Sequence, residues 1–167
     1  MDRRNLFQIV GAAAAAEPLE AFQRAVPYSP KFFRPDEAFA VDRLADIIIP
    51  KDAKSGGAAE AGVIKYIDLM VHYGEPAQQK AWRDGIAGVE ADAKKRFGKS
   101  FQAITRPQQE QILAAMAVKE NEGFFATLKR LTVEAYHYSS LHWKQNMGRG
   151  MSVAQAQFPG CTHKTHG

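Results

Sequence analysis

The side chains best suited to chemistry stand at the end of the chain, where Cys161, His163 and His166 spell C-x-H-x-x-H. A thiolate with two imidazoles is a donor set for Zn or Cu. Pro159-Gly160 is a turn signal that puts Cys161 in an accessible, non-helical segment. Cys161 is the only cysteine, and in an exported chain that reads as an intermolecular disulfide or a free reactive thiol. A buried, inert thiol is the plain alternative, although proline, glycine, threonine, histidine and lysine are poor company for a core. The tail is no c-type haem attachment, which needs C-x-x-C-H.

His137, Ser139, Ser140 and His142 form a second group. A hydrolase needs its serine against its histidine, but a helix stacks residues three or four apart. Only the pairs His137 with Ser140 and Ser139 with His142 have that spacing, and no G-x-S-x-G elbow is present. The group therefore reads as a polar and aromatic helix face. G-x-G-x-x-G, P-loop and H-E-x-x-H patterns are also missing from the sequence, so the chain has no sequence motif for holding a nucleotide or flavin.

The elements that must position these residues are helical. Phe39 to Tyr73 reads as a helix stopped by Pro50, a small-residue turn through Ser55-Gly56-Gly57, and a second helix from about Ala59. Val41, Leu44, Ala45 and Ile48, then Val63, Tyr66, Ile67 and Met70, each repeat the spacing of one apolar helix face. Two such stripes joined by a short turn make an αα-hairpin that seeds a helical core. After Gly74-Glu75-Pro76 a helix runs to about Phe97, with Trp82, Ile86, Val89, Ala93 and Phe97 inward and Gly98 as its C-cap. Gly85 and Gly88 inside it allow close approach of another helix. Thr105, Pro107 and Gln108 predict a capped helix start, with Ile112, Ala115 and Met116 inward. The longest helix is expected from Phe124 to about Met147, with Phe124, Leu128, Leu131, Ala135 and Tyr138 on one side, as the centre of the bundle. The fold class is all-α: a compact bundle of about five helices with an N-terminal export signal and an irregular C-terminal tail.

Residues 1–16 have the parts of that signal: a charged start, an apolar run from Leu6 to Ala16, and A-x-A cleavage sites. Arg3-Arg4 followed by Leu6-Phe7 resembles the bacterial twin-arginine signal. An amphipathic N-terminal helix is the alternative; the weakly hydrophobic, alanine-rich run favours the twin-arginine route, which carries folded, cofactor-loaded proteins. Residues 17–35 hold four prolines and form an irregular lead-in, with Phe32 and Phe33 packed on the helices or touching a partner. Residues 36–167 form one helical domain with a tail over 148–167. At 167 residues and 46% hydrophobic the chain suits one domain with a real core. A net charge of +4, with basic and acidic residues interspersed, is not the basic stripe of a nucleic-acid surface. No apolar run nears the about 18 residues of a membrane span, so membrane association is expected only through partners or an uncleaved signal.

Taken in order, Arg3-Arg4, LADIIIPKD at 44–52, AAEAGVIKYID at 58–68, FFATLKRLTVEAYHYSS at 124–140 and FPGC at 158–161 resemble the small subunit, subunit 3 or gamma, of membrane-bound gluconate 2-dehydrogenase and related FAD-dependent sugar dehydrogenases. The resemblance implies a non-catalytic subunit with no cofactor of its own. A large flavoprotein carrying FAD oxidises a sugar or polyol, and a multihaem cytochrome c subunit with haem c passes the electrons on. It also implies that the small subunit supplies the export signal through Arg3 and Arg4 and escorts the flavoprotein into the periplasm. Cys161 is then placed for a disulfide to the large subunit. Phe32, Phe33, Tyr136, Tyr138 and Trp143 are the expected contacts, aromatics being common interface anchors. The competing reading is a stand-alone exported metal-binding or haem-interacting protein that uses the Cys/His tail.

Overall fold

The computed structural model describes residues 28–118 and 123–146, and every regular element among them is helical. The order is α1 (Pro35–Ile48), α2 (Ala58–Ala61), α3 (Val63–His72), α4 (Pro76–Phe97), a 3₁₀ turn (Phe101–Ala103), α5 (Arg106–Ala117), α6 (Gly123–Tyr138) and α7 (Ser140–Asn146). The all-α expectation holds, but seven helices replace about five. The two additions come from local breaks that apolar periodicity does not register.

The first break is Gly62, which ends α2 and starts α3 at φ +67°; an L side chain there would be strained. The second is Ser139, where the expected helix to Met147 divides. Its Oγ donates to the Tyr136 carbonyl at 2.6 Å and accepts the His142 N–H at 3.1 Å. The hydroxyl thus closes the end of α6 and caps the start of α7, a competition with the helix ladder that serine is suited to. In consequence the longest helix among the described residues is α4, with 22 residues.

The centre is α1, not the helix after Phe124. It packs against α2, α3, α4, α5, α6 and the 3₁₀ turn, and Val41, Leu44 and Ala45 are fully buried. Pro35 sits in its first turn, Asp36 and Glu37 complement the helix dipole there, and Glu37 accepts the Arg34 N–H at 2.9 Å. Its stop before Pro50 is as expected. In α4 the inward stripe is also as read, with Trp82, Ile86, Val89 and Ala93 buried and Gly98 closing the helix at φ +68°. Gly85 admits the Phe124 ring of α6; a Cβ there would clash with that ring. Nothing approaches Gly88, the other glycine read as a close-approach site. At the start of α5, Gln108 accepts the Thr105 N–H at 2.9 Å, the reciprocal half of the expected capping box.

In α3 the inward face is rotated from the expected one. Val63, Ile64, Ile67, Asp68 and Val71 are buried, whereas Met70 is 42% exposed. In α6, Phe125 rather than Phe124 is fully inward, and Tyr138 is 61% exposed.

Candidate partner interface

A buried carboxylate organises the lead-in. Asp68 has no exposed surface. One oxygen accepts the Tyr28 hydroxyl and the Lys31 N–H, each at 2.7 Å; the other accepts the N–H groups of Phe32 at 3.0 Å and Phe33 at 2.9 Å. Residues that cannot join a helix thereby find an acceptor for their backbone donors, as buried amides must. Burial by itself would raise the Asp68 pKa, but the Phe33 and Lys31 N–H groups, the Tyr28 hydroxyl and the Phe32 N–H together hold it below the usual carboxylate range. Burial and the bond to Asp68 push the Tyr28 hydroxyl well above the ordinary phenol range.

The aromatic pair beside this clasp belongs largely to the chain's own core. Phe33 is 4% exposed, 5.1 Å from Phe32 and 5.6 Å from Trp82 between ring centroids. The Arg83 guanidinium lies 4.2 Å from the Phe32 ring centroid, donates to the Phe32 carbonyl at 2.8 Å and pairs with Glu37. Phe33 therefore offers no ring to a partner, and Phe32 is half-covered. Tyr136, also expected at an interface, is 7% exposed and donates its hydroxyl to the Gly56 carbonyl at 2.8 Å. Gln145 accepts the Gly56 N–H at 2.9 Å, so α6 and α7 grip the turn between α1 and α2 from both sides. Trp143 is half-buried on α7. The His137 and His142 rings stack at 4.8 Å and 17°, with Tyr136 edge-on to His142 at 5.3 Å. Arg3, Arg4 and Cys161 lie outside the described residues, as do His163 and His166.

Two surfaces remain. A cleft of about 530 Å³ lies between α1, α4 and the 3₁₀ turn. Its charges answer one another: Glu37 pairs with Arg34 and Arg83, and Glu90 with Lys94. The other surface is the outer side of α3 and α6, where Met70, Tyr73 (74% exposed) and Tyr138 stand in solvent. Tyr66 and Tyr138 lie 6.1 Å apart between centroids. The Tyr66 hydroxyl donates to Glu134 at 2.6 Å, Glu134 pairs with Arg130 at 3.2 Å, and Lys31 sits 5.8 Å over the Tyr73 ring. The hydrogen bond to Glu134, aided by burial, pushes the Tyr66 pKa up to about 12. Among the described residues no group of three His, Cys, Asp or Glu side chains is arranged to hold a metal ion, and no helix is long and apolar enough to cross a membrane.

Sequence reasoning left out the exposed Tyr73 and placed Met70 inward, whereas Tyr66 packs against the core as read. The available signal was that α3, VIKYIDLMVH, is apolar on both sides, which one inward stripe does not explain. It also missed Asp68; the unsatisfied donors of the proline-rich lead-in pointed to a buried acceptor somewhere.

The described residues form a helical bundle whose polar groups mainly fasten its own turns, with an aromatic face left in solvent. The sequence model of the gluconate 2-dehydrogenase subunit 3 family matches residues 35–160, and the chain belongs to that family. Its members are small subunits of a multi-subunit dehydrogenase. No curated protein and no solved structure matches the chain.

Proposed function

We propose that this chain is a non-catalytic small subunit that binds, helps to mature and escorts for export the FAD-containing catalytic subunit of a sugar or polyol dehydrogenase. The observation that carries this reading is family membership across residues 35–160. The Arg3-Arg4 motif ahead of an alanine-rich run supports the twin-arginine route to the periplasm, the route for cargo that folds before it crosses. FAD then sits in the catalytic subunit and haem c in a cytochrome partner. Cys161, in its Pro-Gly turn, links the small subunit to the large one.

The test is to replace Arg3 and Arg4 together with Lys and follow both chains by cell fractionation. Both should stay in the cytoplasm, with periplasmic dehydrogenase activity lost. A flavoprotein that still reaches the periplasm in that strain overturns the escort role.

A further inference from the structure

We propose that the seam between α1 and α5 is a proton-operated joint, closed while the Asp42 carboxyl holds its proton and opening locally, with the rest of the bundle folded, once that proton passes to solvent. The joint belongs to this chain alone and does not depend on the accessory-subunit role. Asp42 stands on the central helix, is 4% exposed, and has one oxygen buried with no hydrogen-bond partner. A buried carboxylate with neither donors nor a cation beside it is costly, and the neutral acid is the form that such a site tolerates. Asp42 and Asp46 are four apart and so share one side of α1. Arg106, the first residue of α5, holds the Asp46 carboxylate at 2.5 Å and its carbonyl at 3.2 Å, which turns that side toward α5.

The charges at the seam leave Asp42 uncompensated. Burial first, and then the Asp46 charge, push its pKa up to about 7. Among the described residues no cation offsets them, and no charge on α2, α3, α4, α6 or the 3₁₀ turn bears on Asp42. The seam's two cations are engaged elsewhere: Arg106 is bound by Asp46 and Glu110, and Arg43 lies over the Phe39 ring, 5.3 Å from its centroid and under the influence of Asp46. Losing the Asp42 proton sets two carboxylates against each other on one helix, at the point where the Arg106 guanidinium joins that helix to α5. Of the 12 residues of α5 only Gln109, Ile112 and Leu113 are buried, fewer than in α1, α3, α4 or α6. A segment with few buried contacts is where a bundle opens locally. In the open form Asp42 is hydrated and titrates near its ordinary value of about 3.9, so that form binds fewer protons than the closed one between about pH 4 and pH 7. The open population then rises by up to about tenfold per pH unit through that window and levels off above it.

The experiment is amide hydrogen exchange of the full-length chain at pH 5, 6 and 7, each with small additions of guanidinium, after the base-catalysed rise of the exchange step itself is divided out. Local openings expose little surface and respond weakly to denaturant, whereas unfolding of the whole chain responds steeply. The expected result is that α5 amides exchange through weakly responding openings, about fiftyfold more populated at pH 7 than at pH 5, while the slowest α4 amides respond steeply. In Asp42→Asn, which stays neutral, the α5 openings should not change with pH. In Asp46→Asn, which loosens the Arg106 clamp and leaves Asp42 in place, they should be more populated at every pH and still rise with it. A pH dependence of α5 that persists in Asp42→Asn, or α5 amides that respond to guanidinium as steeply as those of α4, overturns the joint. A carbon-13 titration of the Asp42 carboxyl in wild type needs no variant: a midpoint of about 7 is expected, and one below about 4.5 overturns the proposal.

Discussion

Replacing Asp68 with Ala should cost more stability than any surface change in this chain, because one side chain carries four contacts. Hydrogen bonds to a charged acceptor contribute about 1.5–3 kcal/mol each, though bonds sharing one acceptor do not add independently. Of the four donors, the Phe33 N–H is buried and cannot turn to water, so its lost partner costs about 1–3 kcal/mol outright. The other three lie partly at the surface and recover hydration. A net loss of about 4 kcal/mol follows, or a fall in Tm of about 12–20 °C for a domain of this size. Asp68→Asn keeps one acceptor oxygen and should lose roughly half as much.

The charge adds a pH signature. A carboxylate whose folded pKa is depressed stabilises the fold above its unfolded pKa, about 3.9. That contribution disappears as pH falls through the folded value, and for Asp68 the direction is downward. Wild type should therefore lose its advantage over Asp68→Asn only below about pH 4. Circular dichroism melts of the three proteins at neutral pH and at pH 3 measure both effects. A Tm for Asp68→Ala within a few degrees of wild type at neutral pH, or a wild-type advantage over Asn that persists unchanged at pH 3, refutes the clasp.

Asp42 should behave in the opposite sense. Burial, with the nearby Asp46 charge, pushes its pKa up to about 7, and one carboxylate oxygen is buried without a hydrogen-bond partner. The folded state then binds the extra proton between about pH 4 and pH 7, and stability falls as pH rises through that window. Asp42→Asn should gain on wild type by up to about 4 kcal/mol between pH 4 and pH 8; a difference that is flat with pH, in denaturant titrations, sinks this. Gly85→Ala should destabilise by about 1–3 kcal/mol because the new methyl meets the Phe124 ring. Gly88→Ala, on the same helix with open space around it, should stabilise by about 0.5–1 kcal/mol, and equal effects in paired melts refute the close-approach role of Gly85.

The helical class, the α4 stripe, the stop at Pro50 and the Gln108 half of the cap could be read from the sequence because each rests on neighbours within a turn or two. The division of the last helix could also have been read, since a serine able to bond i−3 and i+3 backbone groups is local information that apolar periodicity does not register. The rotation of α3 could not be read that way. It depends on Asp68 facing inward to meet residues 28–33, and a charged residue in an apolar helix is by default assigned to solvent. The same long-range partnering decided the aromatic guesses. Phe33 and Tyr136 look like Tyr138 in the sequence, and only the packing of Trp82 and the position of Gly56 separate core rings from surface ones.

The Asp68 clasp also has a mechanical meaning. Residues 28–33 are fastened to the folded domain chiefly by one carboxylate on α3 and one buried ring. A pull on that segment is borne first at residue 68, and so directly by α3. Loosening the lead-in therefore leaves a buried carboxylate on that helix without its donors.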